Sequence, residues 1–278
     1  MYYTLEQTFD WLQEQLTRQP APFMGYIHVF PPHDPYRARE DFIGKFDDDW
    51  KPVSKPKDFF KEGWDEAELL RHRLHYDEFL AYADAEFGRL YDFMKQSGLL
   101  ENTCLVVTSD HGEMFERGIL AHQTPSMFQP LLHIPLLMAL PGQNKRQDIR
   151  ISTSSVDVLP TLLHIAGQDV PEWCEGQALP LYGTDSSTDR NLFALEAKLN
   201  SKEGPLHTIS LVLFKGQYKL VHYLGYPGYE DVHELYDLEN DPEELHNLYQ
   251  PGDALSRSLQ EELAGKLVEI NKSEQISE

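Results

Sequence analysis

The stretch that decides the fold reads Val106-Val107-Thr108-Ser109-Asp110-His111-Gly112-Glu113. Its first half is apolar and β-branched, which is typical of a strand buried in a parallel sheet. In open α/β sheets, ligands bind beyond the carboxyl ends of the strands, so we expect Asp110 and His111 at that edge. A carboxylate and an imidazole together can ligate a divalent metal. The competing interpretation is a polar turn in which Asp110 caps a following helix.

The elements around this stretch alternate between helix and strand, which predicts an α/β fold with a mostly parallel sheet flanked by helices. Helical periodicity and stop signals predict the helices, and short apolar runs predict the strands. The predicted helices span 4–18, 64–97 and 155–167, and the predicted strands span 24–30, 103–108 and 134–140.

The pattern changes after a polar, linker-like segment at residues 183–190. Strands at 209–214 and 217–223 are separated by Lys215-Gly216, which predicts a hairpin, and 235–238 is a candidate third strand. Leucines recurring every fourth residue from 255 to 267 predict a terminal amphipathic helix. We therefore predict an α/β domain over 1–190 and a small antiparallel α+β subdomain over 191–278. Lys215 and Lys219 are interpreted as exposed strand lysines.

The composition of the chain limits the classes of partner that it can bind. Lys and Arg number 24 and Asp and Glu number 46, so the net charge is −22, which argues against nucleic-acid binding. No apolar run is long enough to span a bilayer. The N-terminus does not resemble a signal peptide, which favours the cytoplasm unless a preceding segment carries the signal, so localisation stays open. The sequence does not predict the oligomeric state.

Three histidines are candidates for contacts with substrate. His28 lies within the strand predicted at 24–30, and His33 follows two prolines just past its end. His33 could contact an anionic substrate or protonate a leaving group. His122 lies in the connection from Gly112 to Pro135, a loop long enough to fold back over a metal. Each histidine taken alone is more typical of an ordinary surface residue.

Taken together, the motifs resemble the sulfatase family of the alkaline phosphatase superfamily. The resemblance extends over nearly the whole chain. It rests on His28, Pro32, His33, Pro35 and Tyr36, on Gly98 to Thr103, on Thr108 to Glu113, on His122, Ile134 to Leu137, Pro141 and Gly142, on Val156 to Leu163, on Gly176 to Pro180, and on Leu235 to Glu243 with Asn247-Leu248.

The resemblance implies a partial alkaline-phosphatase-like fold and a role for each matched residue. Asp110 and His111 match the family's second pair of metal ligands, so the implied cofactor is a divalent metal, Ca²⁺ first, with Mg²⁺, Mn²⁺ or Zn²⁺ as alternatives. His33 and His122 match catalytic residues that contact the sulfuryl group, and His28 is a weaker match for substrate binding. The implied substrate is a small-molecule or glycan sulfate ester.

One part of the family pattern is missing. The family's formylglycine nucleophile arises from Cys or Ser in Cys/Ser-x-Pro-x-Arg, and this motif does not occur in the chain. Nothing before His28 resembles the first pair of metal ligands. We therefore expect the C-terminal portion of a sulfatase-like hydrolase, inactive by itself. Two alternatives stay open: a phosphodiester or phosphonate hydrolase or phosphoglycerol-type transferase of the superfamily, and a non-catalytic remnant or subunit completed by a partner.

Overall fold

The computed structural model describes residues 4–47, 49–180, 182, 190–201 and 204–273. Most of the predicted linker at 183–190 therefore lies outside the described residues. Two compact units are interleaved along the chain. The first comprises Met1–Ser109, Glu113–Gln123 and Ile134–Arg146, and the second comprises Asp110–Gly112, Thr124–His133 and Gln147–Glu278. Across the described ranges, no helix has both the length and the apolar character needed to cross a membrane.

Two helices dominate the first unit, and their starts were predicted from the sequence. Helix α1 spans Leu5–Arg18 and helix α2 spans Glu66–Gln96. Each begins at a capping box, with Thr4 paired to Gln7 in α1 and Asp65 paired to Glu68 in α2. These reciprocal bonds satisfy backbone N–H groups that have no partner inside the helix.

The two helices pack through their apolar faces. The shared core contains Leu5, Phe9 and Leu12 from α1 together with Phe79, Tyr82, Leu90 and Met94 from α2. Polar side chains also link the two helices. Arg39 donates to Glu6 at 2.7 Å, and the Tyr82 hydroxyl donates to the same carboxylate.

The strands of the first unit are short. They are β1 (Leu105–Thr108), β2 (Phe115–Glu116), β3 (Ile119–Leu120) and β4 (Leu136–Ala139). The predicted strands at 103–108 and 134–140 are confirmed as β1 and β4, but they pair antiparallel, so their assignment to a parallel sheet is wrong. A parallel neighbour needs a long crossover, usually a helix. The connection between β1 and β4 contains only the β2–β3 hairpin and one four-residue helix.

The predicted strand at residues 24–30 is not formed. This segment has no assigned secondary structure, and Met24 and Tyr26 are 74% and 84% exposed. An apolar, β-prone sequence becomes a strand only when a neighbouring strand pairs with its backbone groups. Within the described residues, no strand pairs with this segment.

The second unit contains the C-terminal sheet predicted from the hairpin signal. Its four strands are antiparallel in the order β5 (Leu192–Glu196), β6 (Ile209–Lys215), β7 (Tyr218–Tyr226) and β8 (Tyr229–Asp237). The β6–β7 hairpin is confirmed, but its turn lies one residue later than predicted, at Gly216-Gln217, because Lys215 pairs with Tyr218. Strand β8 begins earlier than predicted, and β5 was not predicted.

Three helices complete the second unit: α3 (Gln129–Leu132), α4 (Val158–Ile165) and α5 (Ala254–Ser273). Asp253 caps α5 by accepting from the backbone N–H groups of Leu255 and Ser256. The predicted leucine stripe is confirmed, since Leu259 and Leu263 are buried in one cluster with apolar residues of the sheet.

The structure contradicts the predicted exposure of Lys219. Its side chain is 0% exposed, and Nζ donates to the Glu244 carboxylate and to the Met127 carbonyl. Both faces of β7 are covered at this point, because Lys219, Leu220 and Val221 are all buried. Lys215 at the turn is exposed, as predicted, and pairs with Glu262.

Removing one partner of the buried Lys219–Glu244 pair should destabilise the second unit. Replacing Lys219 by Met leaves a buried carboxylate without its cation, and this type of change costs about 3–5 kcal/mol. Lys219→Met should therefore unfold at a clearly lower urea concentration. The double variant Lys219→Met/Glu244→Gln should recover part of the loss, because Gln carries no charge. The control Lys215→Met should stay within about 1 kcal/mol; equal losses for Lys215→Met and Lys219→Met would contradict this account.

The Glu6 carboxylate should make the first unit sensitive to acid. Burial raises the pKa of Glu6, but the hydrogen bonds from Tyr82 and Arg39 outweigh it and lower the pKa from 4.5 to about 2. A folded pKa below the unfolded value contributes stability above pH 4.5, which is lost as the pH falls toward 2. Urea unfolding at several pH values should show that Glu6→Gln loses less stability than the original chain across this range. Parallel pH profiles would rule out the contribution.

Candidate functional site

Asp110 and His111 lie in the second unit, in the turn that follows β1. The His111 Nδ1 lies 2.8 Å from the Gly112 carbonyl oxygen, and a proton donated there leaves the lone pair of the ring on Nε2. This Nε2 lies 3.9 Å from Oδ1 of Asp110. One oxygen and one nitrogen are therefore close enough to contact the same cation.

Position 112 must be glycine because the neighbouring backbone leaves no room for a side chain. Its N–H donates to the Leu131 carbonyl at 2.9 Å. A Cβ at this position would lie 1.9 Å from the Pro130 carbonyl oxygen, which is far inside van der Waals contact. The two backbones approach so closely that only glycine fits, and this contact fixes the turn that carries Asp110 and His111.

His122 is positioned by a hairpin, where the sequence predicted an open loop. Strands β2 and β3 are joined by Arg117-Gly118, whose φ angles of 59° and 79° match the two left-handed positions of a type I′ turn. After β3, the Ala121 N–H donates to the Met114 carbonyl at 2.8 Å. The hairpin thus brings residue 122 back beside residue 113.

Glu113 pairs with His122. Its Oε1 lies 2.9 Å from His122 Nδ1, and both side chains are largely buried. A carboxylate at Nδ1 orients the ring and compensates a positive charge on it. Sequence reasoning assigned no role to Glu113, although it directly follows the Asp-His-Gly turn.

The first unit also brings His33 beside His122. Their ring centroids are 5.0 Å apart in an edge-to-face arrangement, and Phe30 packs against His33 at 4.5 Å. His33 Nδ1 lies 2.7 Å from the Asp34 carbonyl oxygen, so its ring is also held at Nδ1. Both histidines line a cleft of about 230 Å³ together with Asp34, Tyr36, Glu62, Leu120, Ala121 and Gln123.

Tyr36 is a second residue whose role was not predicted. Burial, reinforced by the charge of the neighbouring Glu113 carboxylate, raises the pKa of Tyr36 well above its usual value. The same two causes raise the pKa of Tyr76, whose ring packs 5.4 Å from that of Tyr36. Both phenols therefore stay neutral at physiological pH. The position of Tyr36 in the His-x-Pro-Tyr motif was the available signal.

His28 is not among the residues that line this cleft. It is exposed, and its Nδ1 lies 3.2 Å from the Tyr26 hydroxyl. The structure therefore brings together two of the three predicted substrate-contacting histidines within the first unit.

Asp110 and His111 fit a divalent metal as part of a larger donor set. The contact of His111 Nδ1 with the Gly112 carbonyl leaves Nε2 as the ligand atom, and a carboxylate oxygen suits Ca²⁺, Mg²⁺, Mn²⁺ or Zn²⁺. Ca²⁺ takes about 6–8 oxygen ligands, so two donors are too few for tight binding by themselves.

Comparison with known proteins gives consistent matches. The Sulfatase family profile matches residues 1–168, and the profile described as N-sulphoglucosamine sulphohydrolase, C-terminal, matches residues 122–273. Arylsulfatase K of Canis lupus familiaris is 28% identical over 298 residues, covering 93% of this chain and 54% of its own length. Choline-sulfatase of Rhizobium meliloti (strain 1021) is 30% identical over 250 residues, covering 82% of this chain and 46% of its own.

Among solved structures, the phosphonate monoester hydrolase of Agrobacterium radiobacter is 22% identical with a TM-score of 0.75, covering 98% of this chain and 62% of that one. This similarity confirms the alkaline-phosphatase-like α/β fold. The chain spans about half the length of the curated relatives it matches. Because the Sulfatase profile matches more than half of the chain and a relative reaches 30% identity over 82% of it, the chain belongs to the sulfatase family.

Proposed function

We propose that this chain is the anion-holding and metal-binding part of a sulfate-ester hydrolase. The observation that carries the proposal is the pair of histidines in one cleft, His33 and His122, each with Nδ1 against an acceptor. An imidazole fixed at Nδ1 presents Nε2 in a defined direction, and two such rings can hold a tetrahedral oxyanion when they are protonated and donate from Nε2 as well. Membership of the sulfatase family supports a sulfate ester, small-molecule or glycan, as that oxyanion.

The roles follow from the contacts of each side chain. Glu113 orients His122 and offsets the positive charge that His122 carries when it donates to an anion. Backbone contact at Asp34 orients His33 for the same task or for protonation of the leaving oxygen. Asp110 and His111 would hold the divalent metal, Ca²⁺ first, and such an ion would supply Lewis-acid chemistry.

The chain should bind its substrate but not turn it over unaided. The family's nucleophile motif, Cys/Ser-x-Pro-x-Arg, does not occur in these 278 residues. A nucleophile supplied by another polypeptide segment would complete the reaction. The contrasting possibility is a non-catalytic remnant, which absence of binding of both the anion and the metal would favour.

The histidine pair can be tested by binding of 4-nitrophenyl sulfate in the presence of Ca²⁺. Asn keeps a donor near the position of Nδ1 and removes Nε2, so His33→Asn and His122→Asn should each weaken binding roughly tenfold or more, as expected for lost charge-assisted bonds. Calorimetry or ligand-observed NMR would measure the change. His75→Asn, at an exposed position of α2, is the matched control.

Undiminished binding by both cleft variants would exclude the cleft as the sulfate site. Rapid release of 4-nitrophenol by the original chain would exclude the need for an external nucleophile.

Phosphonate esters are a second candidate substrate class, favoured by the fold shared with a phosphonate monoester hydrolase. Sulfate and phosphonate groups are both tetrahedral oxyanions, so the cleft could accept either. Competition between 4-nitrophenyl sulfate and 4-nitrophenyl phenylphosphonate would rank them. Preference for the phosphonate would replace the sulfate assignment.

The metal ligands can be tested independently of catalysis. Asp110→Asn removes the only charged oxygen of the Asp110–His111 pair, so Ca²⁺ and Mn²⁺ should bind roughly tenfold more weakly or worse, measured by calorimetry on chelator-treated protein. Asp84→Asn on the exposed side of α2 changes the net charge equally and should leave the affinity unchanged. Equal metal affinities in these two variants would remove Asp110 from the ligand set.

A further inference from the structure

A cluster of two histidines and one aspartate lies on the β7–β8 ladder, and no residue of it takes part in the proposed sulfate chemistry. His222 and His233 are directly opposite each other in the register. Asp231 precedes His233 by two positions, so its side chain points to the same face of the sheet. All three side chains are therefore neighbours on one surface.

The ligand atoms of this cluster converge. His222 Nε2 lies 2.8 Å from Asp231 Oδ1, and His233 Nδ1 lies 3.6 Å from the same oxygen. The three ligand atoms all lie within 4.8 Å of one another. Donors around a tetrahedral zinc with bonds of about 2.0–2.1 Å are roughly 3.4 Å apart. The observed separations bracket that value.

His233 is held in place by two further neighbours. The Tyr249 ring stacks on it at 5.0 Å, and the Gln260 amide lies 3.2 Å from its Nε2. A 180° rotation of this amide presents its oxygen to Nε2–H, which would leave the lone pair of the ring on Nδ1, facing the cluster. A fixed outer contact of this kind is typical of histidines that ligate metals.

The other two donors can adjust. Asp231 is 72% exposed, so its carboxylate can turn to open the short contact with His222. The rings of His222 and His233 are stacked at 4.0 Å and 13°. A metal lies in the plane of each imidazole that binds it, so metal binding must tilt the His222 ring out of this stack.

Burial, reinforced by His222, lowers the pKa of His233 to about 4, which keeps this imidazole neutral at pH 7.

We propose that His222, Asp231 and His233 form a binding site for a transition-metal dication of the zinc class. Two imidazoles and one carboxylate match the preferences of Zn²⁺, Co²⁺ or Ni²⁺, whereas Ca²⁺ and Mg²⁺ prefer mostly oxygen ligands. The exposed side at Asp231 leaves room for water as the fourth ligand. The metal links β7 to the edge strand β8, so binding stabilises the C-terminal sheet.

The experiment uses the full 278-residue chain carrying Asp110→Asn, so that the proposed sulfatase metal pair does not contribute. After chelator treatment, Zn²⁺ is titrated by calorimetry, and Co²⁺ is titrated by absorption spectroscopy. We expect saturable Zn²⁺ binding, visible Co²⁺ absorption bands and a metal-dependent rise in Tm. An excess of Ca²⁺ should not compete.

Two site variants and one control separate this site from other histidines. Asp231→Ala and His222→Asn should each weaken Zn²⁺ binding at least tenfold and remove the rise in Tm. His207→Asn, at an exposed position of the same unit, should behave like the parent. Circular dichroism of the metal-free proteins establishes that the variants are folded. Zn²⁺ binding that survives both site variants, or no saturable binding by the parent, would overturn the proposal.

Discussion

The buried ion pair between Lys219 and Glu244 is the contact on which the second unit depends. Lys219 Nζ also donates to the Met127 carbonyl, and the second Glu244 oxygen accepts from the Gln129 N–H at 2.8 Å. The pair thereby anchors the segment that contains α3 to the C-terminal sheet. Leu131 of that segment in turn accepts the hydrogen bond from Gly112. Desolvating two charges is costly, and these additional hydrogen bonds offset the cost.

Asp110, His111 and His122 are positioned by close contacts and turns of the backbone. Gly112 fits under a carbonyl and fixes the Asp110–His111 turn, and a type I′ hairpin returns His122 to Glu113. Precise placement of a few polar groups by rigid backbone is what anion and metal sites require.

The sequence correctly predicted those elements that depend only on residues close together in the chain. The start of α1, the β6–β7 hairpin and the leucine stripe of α5 depend on residues close together in the chain, and all are confirmed. Errors arose where distant partners decide the outcome. Residues 24–30 have the composition of a strand but no strand partner among the described residues. The β1–β4 pair is antiparallel, and the connection between its strands contains a hairpin and one four-residue helix in place of a crossover helix.

The sequence by itself determined the family, the α/β class and the identity of the candidate residues, because motif spacing and periodicity are written along the chain. The tertiary structure alone decided which of those residues meet. It placed His33 beside His122 but left His28 outside their cleft, buried Lys219 against Glu244, and gathered His222, Asp231 and His233 on one ladder. These contacts depend on strand register and hairpin geometry, which bring together side chains whose separation in sequence carries no signal of proximity.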